Sequence, residues 1–157
     1  MPYKKILVAL DDSPLGQQVF EQALALAKQN GANLMLFHTI LIDNQTLTPY
    51  ISLYNEQLAE FSYAMREQLD KEIEKVRHWL DNYAKIAEAQ QITAEWDCKI
   101  GEPGRWIRDL ANSWNADLIV LGRRGLKGIS EMFLGSVSNY VVHHANCSVL
   151  VIQHPEQ

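Results

Sequence analysis

Apolar residues along this chain follow two rhythms: short continuous runs alternate with longer stretches in which they recur every three or four positions. Residues 4–10 (KKILVAL) form the first run and residues 33–40 (NLMLFHTI) the second. Strands buried on both faces have this composition, which predicts a parallel sheet. Between them, Val19, Ala23, Leu26 and Ala27 keep helical spacing. Ser13 is placed to cap that helix, Pro14 to begin it and Asn30-Gly31 to end it. Strand, helix, strand is the pattern of a right-handed parallel crossover. Residues 41–54 lack a clean period and contain Pro49, so they read as a longer loop with room for a short helical turn. From about 55 to 90, Leu58, Phe61, Met65, Leu69, Ile73, Val76, Leu80, Ala84 and Ala87 are spaced by three or four. This is a long crossover helix lying on the sheet, with a coiled-coil partner helix as the alternative.

A third strand is expected over 92–100, followed by the turn Gly101-Glu102-Pro103-Gly104 and a helix whose inner stripe is Ile107, Leu110, Ala111 and Trp114. Residues 117–121 form a fourth strand and 122–135 a glycine-rich stretch. Residues 136–145 form a last helix and 148–153 (SVLVIQ) a last strand. Strands and helices alternate throughout, without a linker or repeat. The expected fold is a single α/β domain over 1–157, an open parallel five-stranded sheet of order 3-2-1-4-5 with helices on both faces, Rossmann-like or flavodoxin-like.

Composition narrows the function classes. Nineteen acidic residues oppose fourteen basic ones, a net charge of −5. A general nucleic-acid binder carries the opposite surplus, so no nucleic-acid partner is expected. No apolar run approaches the roughly 20 residues of a membrane span, and the run after Lys5 is too short for a signal-peptide core. A cytoplasmic protein without a membrane partner is expected. Cys98 and Cys147 stand at no metal or redox spacing and read as buried thiols in a reducing compartment.

Open parallel sheets bind ligands beyond the carboxyl ends of their strands. Two of the loops there are chemically distinctive: Asp11-Asp12-Ser13, and Gly122-Arg123-Arg124-Gly125-Leu126-Lys127-Gly128 running on to Gly135-Ser136-Val137-Ser138. The second suits a phosphate. Its glycines permit positive φ and close approach, a helix N-terminus at Gly135-Ser136 presents backbone N–H groups, and Ser136 and Ser138 add hydroxyls. Arg123, Arg124 and Lys127 add positive charge; a solvated loop carrying surface cations is the plainer alternative. The P-loop, dinucleotide and nucleophile-elbow patterns are absent. His143 and His144, adjacent on one helix, point to different sides and read as non-catalytic.

These motifs together resemble the universal stress protein family over essentially the whole chain. The resemblance is carried by Lys4-Lys5-Ile6-Leu7-Val8 with Asp11 and Ser13, by Leu36-Phe37-His38, by Gly101-Glu102-Pro103 and by the ending Ser148-Val149-Leu150-Val151-Ile152. Its most specific part is Gly122-x2-Gly125-x9-Gly135-Ser136, similar to the ATP-binding signature of the family's nucleotide-binding branch. The resemblance implies an ATP site, with ADP or AMP as other ligands. Gly122, Gly125, Gly135, Ser136, Val137 and Ser138 would surround ribose and phosphates. Asp11 would accept from a ribose hydroxyl, Ala9 and Leu10 would flank the base, Thr39 would present backbone groups to the adenine edge, and Leu121 would pack nearby. Magnesium or manganese would be held through the phosphates and by no protein cluster.

No spacing supplies a clear catalytic base, so a nucleotide-dependent regulatory protein of the stress response is the expectation. A slow ATPase or phosphotransferase using the same site is the alternative. The apolar last strand at a sheet edge further predicts a homodimer through 148–153, since an uncovered edge invites pairing and a two-fold copy can cover it.

Overall fold

The computed structural model of the chain describes residues 2–41, 55–123 and 135–153 (for 55–59 and 61, the backbone only). The expected loop and helical turn at 42–54 lie outside the described residues, as do Arg124, Gly125, Lys127 and Gly128. The elements in chain order are β1 (Lys5–Ala9), α1 (Pro14–Asn30), β2 (Asn33–Ile40), α2 (Asn55–Ala89), β3 (Ala94–Ile100), α3 (Pro103–Trp114), β4 (Leu118–Gly122), α4 (Ser136–His144) and β5 (Ser148–Ile152).

All strand pairs are parallel, and the order is β3-β2-β1-β4-β5, as the sequence predicts. The central strands are apolar on both sides because both sides are covered. Ile6 and Val8 of β1 turn toward α1 and α2, where Val19, Phe20, Ala23, Leu80 and Ala84 pack. Leu7 between them turns to the opposite face, toward Ile107 and Ala111 of α3 and Val141 of α4. Fully burying such a side chain contributes about 1.5–3 kcal/mol. The crossover reading of α2 holds for its C-terminal half, which lies on β2 and β3. There Leu80, Ala84 and Ala87 are buried, while Met65, Leu69 and Ile73 farther up the stripe are half-buried.

Local signals end the elements where expected. The Ser13 side chain caps α1 by accepting from the Gly16 N–H at 3.1 Å. Gly31, left-handed at φ 64°, closes the same helix with its N–H on the Ala27 carbonyl. At the amino edge of the sheet the Asp117 carboxylate accepts from the backbone N–H groups of Lys4 (2.8 Å) and Lys5 (3.2 Å), locking β4 to β1.

Two expectations need correction. β3 begins at Ala94 rather than 92, because Ile92 is still engaged in closing the C-terminus of α2: its N–H donates to the Ala87 carbonyl at 3.0 Å, just after the left-handed Gln91. Cys98 and Cys147 are free but half-buried rather than buried. Cys98 lies on β3 and Cys147 immediately precedes β5, and among the described residues each of these strands has a neighbour on only one side. No helix among the described residues is long and apolar enough to cross a membrane.

Candidate functional site

The chain leaves β1 toward β2 on one side, while β4 pairs with β1 on the other. Loops that diverge in this way leave a crevice at the carboxyl edge. A cleft of about 420 Å³ opens there. Ala9, Leu10 and Asp11 enter it from the end of β1, Thr39 from β2, and Leu121 and Gly122 from β4. Gly135, Ser136, Val137 and Ser138 enter it from the start of α4. The sequence-predicted residues thus gather around one space, except Gly125, which lies outside the described residues. Gly16, His38, Gly104 and Tyr140 also border the cleft, although the sequence reading gave them no site role.

Two parts of the cleft lining differ in charge preference. In α4 the first helical bond runs from the Asn139 N–H to the Gly135 carbonyl at 2.8 Å. The N–H groups of Ser136, Val137 and Ser138 precede that bond and have no partner within the helix, so they and the helix dipole favour an anion. Ser138 differs from expectation: its buried hydroxyl donates to the Gly135 carbonyl at 3.0 Å. What it presents to the cleft is its backbone N–H, not its hydroxyl proton. Gly135 has φ −56° and ψ 155°, which any residue adopts, so the expected unusual φ is not its reason for being glycine.

Gly122 has a packing reason of its own to be glycine. A Cβ there would stand 2.9 Å from Leu15 Cδ2 and 3.1 Å from Val19 Cγ2. Its missing side chain makes room for α1, while its backbone borders the cleft.

In the loop after β1, Asp11 is half-buried and accepts from the Ser13 hydroxyl, which in turn accepts from the Gly16 N–H. Gly16 makes this loop possible, since a Cβ on it would meet the Asp11 carbonyl oxygen at 2.2 Å. The signal was present in the sequence, because a glycine in the first turn of a helix costs about 1 kcal/mol against alanine and implies a compensating contact. His38 Nδ1 donates to the Leu10 carbonyl at 2.7 Å, and Leu10 N–H donates to the Phe37 carbonyl at 2.8 Å. Among the described residues, no three His, Cys, Asp or Glu side chains gather as a metal site. His143 and His144 are exposed on α4, and His144 Nδ1 donates to the Tyr140 carbonyl within its own helix at 2.8 Å.

Comparison with known proteins agrees with this architecture. The universal stress protein family matches residues 2–153. A universal stress protein of Synechocystis, Sll1388, is 51% identical over 154 residues, spanning 98% of this chain and 100% of its own. The structure of the universal stress protein UspA from Lactobacillus plantarum superposes with a TM-score of 0.76 at 27% identity, covering 97% of this chain and 99% of that one. Two further solved structures share the fold. A universal stress protein in complex with cAMP has a TM-score of 0.67 at 23% identity, covering 99% of this chain and 100% of that one. The universal stress protein of Archaeoglobus fulgidus in complex with dAMP has a TM-score of 0.61 at 22% identity, covering 97% and 99%. The chain belongs to the universal stress protein family.

Proposed function

We propose that the cleft binds an adenine nucleotide, with ATP as the principal ligand and ADP and AMP as others, and that the protein is a nucleotide-dependent regulator of the stress response without fast catalysis. The observation that carries this reading is the pairing, in one cleft, of a carboxylate at Asp11 with the open N-terminus of α4. A carboxylate repels phosphate and accepts from hydroxyls, whereas a helix N-terminus attracts phosphate. A ligand that satisfies both carries hydroxyls at one end and phosphate at the other, as a ribonucleotide does. Ala9, Leu10 and the backbone of Thr39 then supply the walls for the base. The cAMP and dAMP of the two structural relatives share adenine, a sugar and a phosphate, which supports the same class of ligand here. A divalent magnesium or manganese ion would take its donors from the phosphates and water, because the described residues offer no cluster of their own.

The reading extends to a cytoplasmic homodimer formed through 148–153. The edge strand β3 carries Glu95, Asp97 and Lys99, charges that discourage pairing, whereas β5 (SVLVI) carries none. An uncharged apolar edge is the one a second copy can cover.

The test is purification without added nucleotide, mass spectrometry of any ligand released on denaturation, and calorimetric titration with ATP, ADP and AMP. The parent should bind at least one of them. The Gly135→Val variant, with a branched side chain where phosphate must approach, should lose that affinity while its circular dichroism spectrum persists. Parent-like ATP binding by Gly135→Val would remove the α4 N-terminus from the site.

A further inference from the structure

Beyond the cleft itself, its wall is wired to the long helix α2. One residue past the last ladder pair of β1 and β2, Ala9–Phe37, the His38 imidazole takes the Leu10 carbonyl at 2.7 Å. A carbonyl only accepts, so Nδ1 carries the proton. Leu10 also donates its own N–H to Phe37 at 2.8 Å. Both backbone groups of Leu10 are therefore held by consecutive residues of β2, and Leu10 leads directly into Asp11. On the other side of the imidazole stands Trp79 of α2, edge-on, with ring centroids 5.2 Å apart and planes at 87°. Trp79 meets Tyr83 at 5.6 Å, and Tyr83 meets Phe20 of α1 at 4.5 Å.

We infer that His38 is a positioning residue that holds the Leu10–Ser13 loop, and Asp11 with it, and that its ring passes the state of the cleft to α2 through Trp79. The inference rests on the nucleotide reading of the cleft for its signal, while the holding of the loop is a property of the empty protein. Physically, the loop backbone and the Trp79 ring share one side chain as a common contact. A ligand that draws Asp11 or Leu10 by a few tenths of an ångström displaces the imidazole, because packed rings transmit small shifts rather than absorb them. Helix α2 is mostly solvent-facing on its outer side, so a change in its seating is presented where a partner can read it.

Two substitutions separate the two contacts of the ring. In His38→Asn the side-chain amide can donate from about the place of Nδ1, but there is no ring for Trp79. In His38→Phe the ring remains and the donor is lost. Full-length protein carrying 5-fluorotryptophan at its four tryptophans, with the Trp79 resonance assigned by Trp79→Phe, is titrated with ATP and followed by fluorine NMR. Amide exchange at Leu10 and Gly16 is measured on the unliganded protein. The parent should show a Trp79 shift on binding. His38→Phe should bind ATP about tenfold more weakly and exchange the Leu10 and Gly16 amides about tenfold faster, the scale of one hydrogen bond to a backbone carbonyl. His38→Asn should keep affinity and exchange close to those of the parent and lose most of the Trp79 shift. Parent-like exchange and affinity in His38→Phe, with an unchanged fold by circular dichroism, would overturn the positioning role. ATP binding by calorimetry with an unmoved Trp79 resonance in the parent would overturn the sensing role. If ATP, ADP and AMP all fail to bind the parent, the nucleotide reading and the sensing fall together, and the exchange rates still decide the loop.

Discussion

Gly16 and Asp11 are in backbone contact: a Cβ on Gly16 would lie 2.2 Å from the Asp11 carbonyl oxygen and 2.8 Å from Oδ1 of its carboxylate. The first turn of α1 and the loop that carries the candidate ribose acceptor therefore pack directly against each other. Gly16→Ala should force them apart, destabilising the fold by about 1–3 kcal/mol, as overpacking does. Nucleotide affinity should fall with it. Urea denaturation and calorimetry on the same preparation check both, and an alanine variant with parent stability would mean that the loop relaxes freely.

Asp11 and Ser13 are hydrogen-bonded to each other but have separable roles. Ser13→Ala removes the cap on Gly16 and should cost about 1 kcal/mol of folding stability. Asp11→Ala should cost about 1–3 kcal/mol of nucleotide binding, the range for a charged hydrogen-bond partner, and should erase discrimination between ATP and 2′-deoxy-ATP. Unchanged discrimination in Asp11→Ala would place the ribose elsewhere.

Turnover should be slow. Asp12, the loop carboxylate that could be drafted as a base, is exposed and is not among the residues lining the cleft. Steady-state phosphate release from ATP should stay well below the roughly 1–100 s⁻¹ of kinases. Many turnovers per second, retained through stringent purification and abolished by Gly135→Val, would establish an ATPase instead.

The β5 edge should make a dimer. Sedimentation should give twice the 17.9 kDa chain mass, and Val149→Lys together with Val151→Lys should shift it toward the monomer by placing charge on the pairing strand, with the fold checked by circular dichroism because both side chains pack on the α3–α4 face of the core. A parent protein that sediments as a monomer at every concentration tested ends the proposal.

Burial pushes both the Cys98 and the Cys147 thiols up. A folded-state pKa above the unfolded one means that their contribution to stability is complete below the ordinary thiol range and is lost as pH rises through the folded values. The urea midpoint should therefore fall as pH rises past about 8.5, the ordinary thiol value. The fall should be smaller in the Cys98→Ala, Cys147→Ala double variant. An equal fall in both proteins would assign the alkaline loss to other groups.

The alternation of strands and helices was legible from the sequence because it follows from short-range chemistry. The apolar run Ile6-Leu7-Val8 can satisfy both its faces only inside a covered parallel sheet, Ser13-Pro14 starts a helix, and Asn30-Gly31 stops one. The grouping of Asp11 with Gly135-Ser136 was likewise readable, since strand ends of a parallel sheet converge on one edge. Only the tertiary structure decided which neighbour occupies each gap. Gly122, at the cleft, also leaves the room that Leu15 of α1 occupies. Ser138 looked like a ligand donor and turns back on Gly135. His38 joins Leu10 to Trp79, partners that lie on either side of it in the chain and far from it. Periodicity along a chain determines which face a side chain takes. It carries no information about the distance to a residue that meets that face only after the sheet has closed.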